Sequence, residues 1–260
     1  AGYDFMIQGM GGIMDLTGAP DGEPQKVGVA YADIFTGLYA AIAVQAALRR
    51  RDATAEGAYI DMALLDTQVG VLANQAMNFL ASGVSPRRLG NAHPNIVPYQ
   101  VFPVADGHVI VAVGNDGQFA RLAETLGARE LAADPRFATN ADRVANREAL
   151  AGLLSARTGS LSRDGLLAAL EAKGVPAGPI NSVAEVFAEP QVRFRGMRID
   201  VPDPAAAGGS VPGVRTPIVI DGAPALAPRP SPALGAHTEE VLADPAWGGA
   251  PGGGDFPRDP

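Results

Sequence analysis

The sequence contains no cysteine, which removes disulfides, thiolate metal sites, iron–sulfur clusters and a thiol nucleophile together. Its three histidines, His93, His108 and His237, are too scattered for a His-rich metal cage. Aromatic residues make up only 6%, few for the stacked rings of a sugar-binding cleft. Basic charge is also short: 20 Lys and Arg against 28 Asp and Glu leave a net charge of -8. That balance argues against a nonspecific nucleic-acid partner, which needs a basic surface, while leaving small anionic ligands open. No uninterrupted run of eighteen or more apolar residues occurs, so no membrane-crossing helix and no membrane partner are expected. The opening AGYDFMIQGMGG lacks the basic start and long apolar stretch of a signal peptide, and a cytoplasmic location is the default expectation. Any catalysis must be done by oxygen and nitrogen groups.

Familiar motifs are missing too. The glycines of Gly9-Met10-Gly11-Gly12 lack GxGxxG spacing and the GK[ST] ending of a phosphate loop. They read better as a tight turn that lets the backbone come close to something, a core helix or a ligand. No serine sits in a GxSxG setting.

What is present is a 260-residue chain, 47% hydrophobic and 18% charged, enough to bury a core and expected to form two lobes. The opening segment to Thr17 is apolar and glycine-rich, without strand or helix flanks of normal length. A long helix should start near Asp33, a short strand should run from Tyr59 to Ala63, and a second long helix from Leu64 to about Leu80. In that second helix Leu65, Val69, Leu72, Ala76 and Leu80 keep the spacing of a buried stripe. A proline-rich and glycine-rich loop, Ser82 to Tyr99, follows, long enough to suggest a functional lid or linker. Ala105-Asp106-Gly107 should close a hairpin between Gln100–Val104 and His108–Val113. Helices are then expected near Gly117–Leu126, Arg143–Arg157, Ser162–Lys173 and Val183–Ala188, with strands at Met197–Val201 and Pro217–Asp221 and a helix start at His237. The organisation read this way is residues 1–85 as part of a large domain, 86–100 as a linker and active-site loop, 101–190 as a small α+β domain, 191–244 as a return to the large domain, and 245–260 as a disordered tail.

One acid stands apart. In KVGVAYADIFTGLYAAIAVQAALRRR (Lys26 to Arg51), Asp33 lies between a short apolar run and a helical pattern carried by Leu38, Ile42, Ala46 and Leu48. Arg49, Arg50 and Arg51 sit where a helix C-terminus favours cations. An Asp at a helix start can accept hydrogen bonds from free backbone N–H groups and meets the positive end of the helix dipole. Such a carboxylate is either a structural cap or a poised nucleophile.

Three ordered blocks, QGMGGIMDLTG (Gln8 to Gly18), VGVAYADIFTGLYAAIAVQAALRRR and DATAEGAYIDMALLD (Asp52 to Asp66), resemble the class III CoA-transferases of the formyl-CoA and carnitine CoA-transferase type. The resemblance continues through Arg88 to Leu122, Gly174 to Phe187 and Ser231 to Leu242. It implies an α/β fold with part of a Rossmann-like large domain and a small α+β domain, assembled as an interlocked homodimer. It also implies CoA transfer between an acyl-CoA and a carboxylic acid through an aspartyl-CoA thioester. The CoA thioester serves as substrate, with no cofactor and no metal. The family nucleophile matches Asp33, with Gly37 four residues on. Chemistry of that kind requires amide donors for tetrahedral oxyanions and exclusion of water from the anhydride.

Gly90-Asn91-Ala92-His93-Pro94-Asn95 aligns with the family's mobile loop over the active site. It is not the run of glycines of the formyl-CoA transferases, which points to a succinyl-CoA-dependent branch acting on larger dicarboxylic acids. Arg88, Asn91 and His93 are the substrate-binding candidates on this segment, with Arg88 or His93 paired to a distal carboxylate. Gln8 matches a position near the reacting centre. Two alternatives accompany this reading. The α-methylacyl-CoA racemases share the Asp that corresponds to Asp33 but need a His where this chain has Tyr3. The other alternative is a catalytically inactive fragment or dimerisation module. The resemblance further implies that an N-terminal part of the CoA-binding lobe lies outside this chain, on a separate lobe or a longer polypeptide.

Overall fold

A computed structural model describes residues 2–245, in two compact units, Ala1–Ile180 and Asn181–Pro260. The first unit opens with α1 (Asp4–Met10) and α2 (Ile13–Leu16), where the sequence pattern predicted no normal element. Between them lies the glycine turn. A Cβ on Gly11 would stand 2.1 Å from Cγ of Gln68, and Gly12 has φ +85°. The expected close approach is therefore to a neighbouring helix.

The helix α3 (Tyr31–Thr54) is longer than the pattern suggested. Only Ala32 of its residues is buried, while Ile34, Leu38, Tyr39 and Ile42 are exposed. The expectation that no helix could cross a membrane needs correction. An 18-residue window of α3 reaches a mean hydropathy of 1.3 with 6% of it buried, so α3 qualifies by length and composition. The count of unbroken apolar runs missed it because Gln45 and the glycine and threonine near its start interrupt the run without lowering the average much.

Residues 55–63 carry no strand. Tyr59 is 93% exposed, and a strand without a ladder partner has nothing to satisfy its backbone. The second long helix is instead two, α4 (Leu64–Gly70) and α5 (Ala73–Ser82), broken where Ala73 takes φ 49°. Its stripe is open rather than buried: Leu65, Val69 and Leu80 are 36%, 51% and 72% exposed.

The apolar core of the first unit comes from β1 (Tyr99–Val104) and β2 (Gly107–Ala112), followed by α6 (Asp116–Thr125), α7 (Glu130–Ala133), α8 (Asn140–Ala145), α9 (Arg147–Thr158), α10 (Arg163–Ala172) and β3 (Ala177–Pro179). The hairpin pairs Tyr99 with Ala112 and Val104 with Gly107, antiparallel, and β3 adds antiparallel to β2. Strand alternation buries Phe102, Val104, Val109 and Val111 on one face. Against that face pack Phe119 and Leu122 of α6, Leu150 and Leu154 of α9, and Leu166 and Leu170 of α10, each pair at helical spacing. Asp106 in the hairpin turn accepts a hydrogen bond from the Arg163 N–H at 2.7 Å, tying the start of α10 to the turn. The single helix expected over 143–157 is split at Asn146. The Asn146 amide nitrogen donates to the carbonyls of Arg136 and Asp142 and so ends α8.

The second unit holds α11 (Val183–Ala188), α12 (Pro190–Phe194), β4 (Arg198–Pro202), β5 (Ser210–Val214), β6 (Val219–Ile220), β7 (Ala223–Pro224) and α13 (Thr238–Ala243), with His237 at the start of α13. Two antiparallel pairs, β4 with β5 and β6 with β7, are its only sheets among the described residues. Buried Arg215 binds the carbonyls of Arg195, Gly196 and Thr216. The tail expected to be disordered lies, from residue 246 on, outside the described residues. The fold is mixed α/β with antiparallel sheets throughout. No parallel βαβ unit of a Rossmann-like lobe is found among the described residues.

Candidate active site

The start of α3 is built by α1. Asp4 Oδ1 accepts hydrogen bonds from the backbone N–H of Ala32 at 2.8 Å and of Asp33 at 3.4 Å. This is the work of an N-cap, done by a residue twenty-eight positions earlier in the chain. The local residue before the helix, Ala30, makes no side-chain cap. The other Asp4 oxygen accepts from Nε2 of Gln8 at 2.8 Å. Gln8 is fully buried; its Nε2 also donates to the carbonyl of Val29, and its Oε1 accepts from the N–H of Val27 at 2.9 Å. Its amide thus holds Asp4 and the chain entering α3 in place.

Asp33 lies in the first turn of α3 and is exposed. Its carboxylate has no hydrogen bond or ion pair among the described residues. Of the two roles left open for Asp33, the cap is filled by Asp4, and the Asp33 side chain is left unengaged.

The loop between α5 and β1 is held from both sides. Arg88 donates to the carboxylate and the carbonyl of Asp15 in α2, both at 3.1 Å, so its charge is already matched within the chain. The Gly90 N–H donates to the Gly18 carbonyl at 3.1 Å. His93 Nδ1 accepts from the Asn95 N–H at 3.1 Å, its ring lies 5.3 Å from that of Tyr99, and the His93 backbone N–H donates to the Tyr99 carbonyl. Asn91 is exposed, with no side-chain partner among the described residues.

From the other side, Asn140 donates to the Asn95 carbonyl at 2.8 Å and accepts from the Val97 N–H. Arg143 donates to the Val97 carbonyl at 2.7 Å, and Arg147 to the carbonyls of His93 and Pro94 at 3.2 and 2.5 Å. The mobile lid implied by the resemblance is here a loop stapled to α8 and α9. The structure brings Gln8 and Asp33 together around Asp4 and places Arg88, Asn91 and His93 on the stapled loop. No hydrogen bond or ion pair among the described residues joins that loop to Asp33.

Sequence reasoning missed Asp4, Asn140, Arg143 and Arg147. Each acts on a segment far away in the chain, and spacing carries no signal for such contacts. Among the described residues no group of three or more His, Asp or Glu side chains could hold a metal.

Comparison with known proteins accords with these blocks. A succinate–glutarate CoA-transferase of Agrobacterium fabrum is 55% identical over 94% of this chain and 60% of its own length. The human succinyl-CoA:glutarate CoA-transferase is 40% identical over 93% of the chain and 55% of its own length. A crystal structure of a CAIB/BAIF family protein from Brucella suis superposes with a TM-score of 0.76 at 61% identity, covering 94% of this chain and 62% of that one. The chain thus spans only 55–60% of the length of these two curated relatives. The sequence profile of CoA-transferase family III matches residues 1–238, and the chain belongs to that family.

Proposed function

We propose that this chain carries the nucleophile-bearing part of a CoA-transferase that moves CoA from succinyl-CoA to a dicarboxylic acid of glutarate type, with Asp33 as the covalent carrier. The observation that carries the proposal is the unengaged Asp33 carboxylate on a helix start that Asp4 already caps. The names of the succinate–glutarate relatives supply the substrate class.

In this reading the Asp33 carboxylate attacks the thioester carbonyl, the C–S bond breaks, and a mixed anhydride and CoA thiolate result. The thiolate then attacks the aspartyl carbonyl of the anhydride, releasing succinate and leaving CoA as a thioester on Asp33. The acceptor carboxylate attacks that thioester to form a second anhydride and free the thiolate again. Attack of the thiolate on the acceptor's carbonyl yields the new acyl-CoA and restores the Asp33 carboxylate. No proton is gained or lost over the cycle, so no general acid or base is required. The apolar face of α3 is read as covered by protein in an interlocked homodimer, with large exposed apolar patches marking such contacts.

The test is mass spectrometry of the full-length protein after incubation with succinyl-CoA. A CoA adduct is expected on the peptide containing Asp33, and Asp33→Asn should lose it while melting within about 0.5 kcal/mol of the parent, as surface substitutions do. A folded parent protein without the adduct would falsify the reading.

A further inference from the structure

The stapled loop, α5 and the start of α9 line an open pocket of about 370 Å³, within the roughly 300–1,000 Å³ range of small-ligand sites. Its lining includes two arginines, Arg87 and Arg147, together with Gln75, Asn78 and Ser85. No carboxylate is among its lining residues. The amides are already ordered: Asn78 and Asn95 exchange hydrogen bonds at 3.2 and 3.3 Å, and Asn78 also donates to Gln75. Arg147 is fixed by its two loop carbonyls, which leaves other guanidinium N–H groups free. Arg87, next to the Asp15-bound Arg88, has no hydrogen bond or ion pair among the described residues.

Burial first, and the nearby positive charge of Arg87 second, push the Arg147 guanidinium below its ordinary value, with Glu148 acting the other way. Arg87 is exposed and Arg147 half-buried, both lining one open pocket, and like charges so placed repel each other, which an anion between them relieves. Planar forks of this kind match the paired oxygens of a carboxylate or phosphate.

We infer that Arg87 and Arg147 form a subsite for one anionic head group, a carboxylate or a phosphate, against the loop that carries His93. The assignment rests on the CoA-transferase reading for its ligands. The head group is then either the distal carboxylate of a dicarboxylic substrate or a phosphate of CoA. Arg88, the basic residue singled out in the sequence, is held by Asp15, and its neighbour takes the role.

Calorimetric titration of the full-length protein and of Arg87→Gln with four probes tests the subsite without turnover. The probes are glutarate, its monocarboxylate analogue pentanoate, CoA, and pantetheine, which lacks every phosphate. Arg87→Gln should weaken one of glutarate and CoA by about tenfold, or about 1.4 kcal/mol, and leave unchanged the counterpart that lacks the second carboxylate or the phosphates. Loss for glutarate but not pentanoate assigns the subsite to the distal carboxylate; loss for CoA but not pantetheine assigns it to phosphate. Arg87→Lys, which keeps the charge and loses the fork, should recover part of the loss. Arg87→Gln binding both glutarate and CoA as tightly as the parent overturns the subsite. The adduct on Asp33 is read separately: an adduct with unchanged binding sinks the subsite alone, and weakened binding with no adduct sinks the reaction alone.

Discussion

The start of α3 has two acids in different situations, Asp4 engaged as its cap and Asp33 unengaged. Asp4 holds the first amides of the helix, so Asp4→Ala should lower stability by about 1 kcal/mol. Asp33→Ala should lower it by less than about 0.5 kcal/mol. Denaturant titration of the two variants checks the order, and equal losses would contradict the division of roles. Gly11 is constrained differently: a methyl group there would meet Gln68 at 2.1 Å and the Ile7 carbonyl at 2.9 Å. Gly11→Ala should cost roughly 1–3 kcal/mol by forcing α1 and α4 apart, visible as a lowered melting temperature. At this scale the sequence was half legible. Asp33 stood out because its helix pattern is local, whereas nothing in the spacing of Asp4 and Ala32 announced that they meet. The glycine turn announced a close approach but not which helix it approaches.

Among the elements, the hairpin and the core helices α6, α9 and α10 were readable because alternation and helical spacing coincide there with burial. The paired helices α4 and α5 were not, since a stripe at helical spacing says which residues share a face and not whether a partner covers it. The loop was readable as a loop, but its staples were not. Arg143, 1% exposed, joins the carbonyls of Val97 and Phe137 to the Asp116 carboxylate and lies 4.6 Å from the Phe119 ring. Arg143→Met should destabilise the first unit by about 3 kcal/mol, because buried carbonyls lose their donor; a melting temperature unchanged from the parent would contradict it. The start of α8 adds a pH dependence. The Thr139 hydroxyl, and after it the Thr139 N–H, hold the Asp142 carboxyl below its ordinary 3.8. A lowered folded value means that the unfolded chain takes up the proton more readily. The contribution is therefore full above 3.8 and is lost as pH falls through the lower folded value. Melts of Asp142→Asn should lie below the parent at neutral pH and converge on it in acid.

For the molecule as a whole, the first unit has one apolar core, supplied by residues 97–175, while the helices before it leave most of their apolar side chains in the open. Composition alone could not tell these regions apart, because both are equally apolar in sequence. The chain prepared without any other polypeptide should therefore associate in a concentration-dependent way through the α3 face. Sedimentation across a dilution series reads this, and a monomer at every concentration would count against a protein-covered α3. The capping of α3 from a distance has a consequence for how such a molecule can change over generations. With Asp33 as the proposed nucleophile and Asp4 as the cap, stability and reactivity at the helix start would reside in different residues, so that substitution at position 33 would alter the chemistry without unfolding the scaffold. A lineage built this way can drift between active and inactive forms, with the same architecture kept intact for selection to reuse.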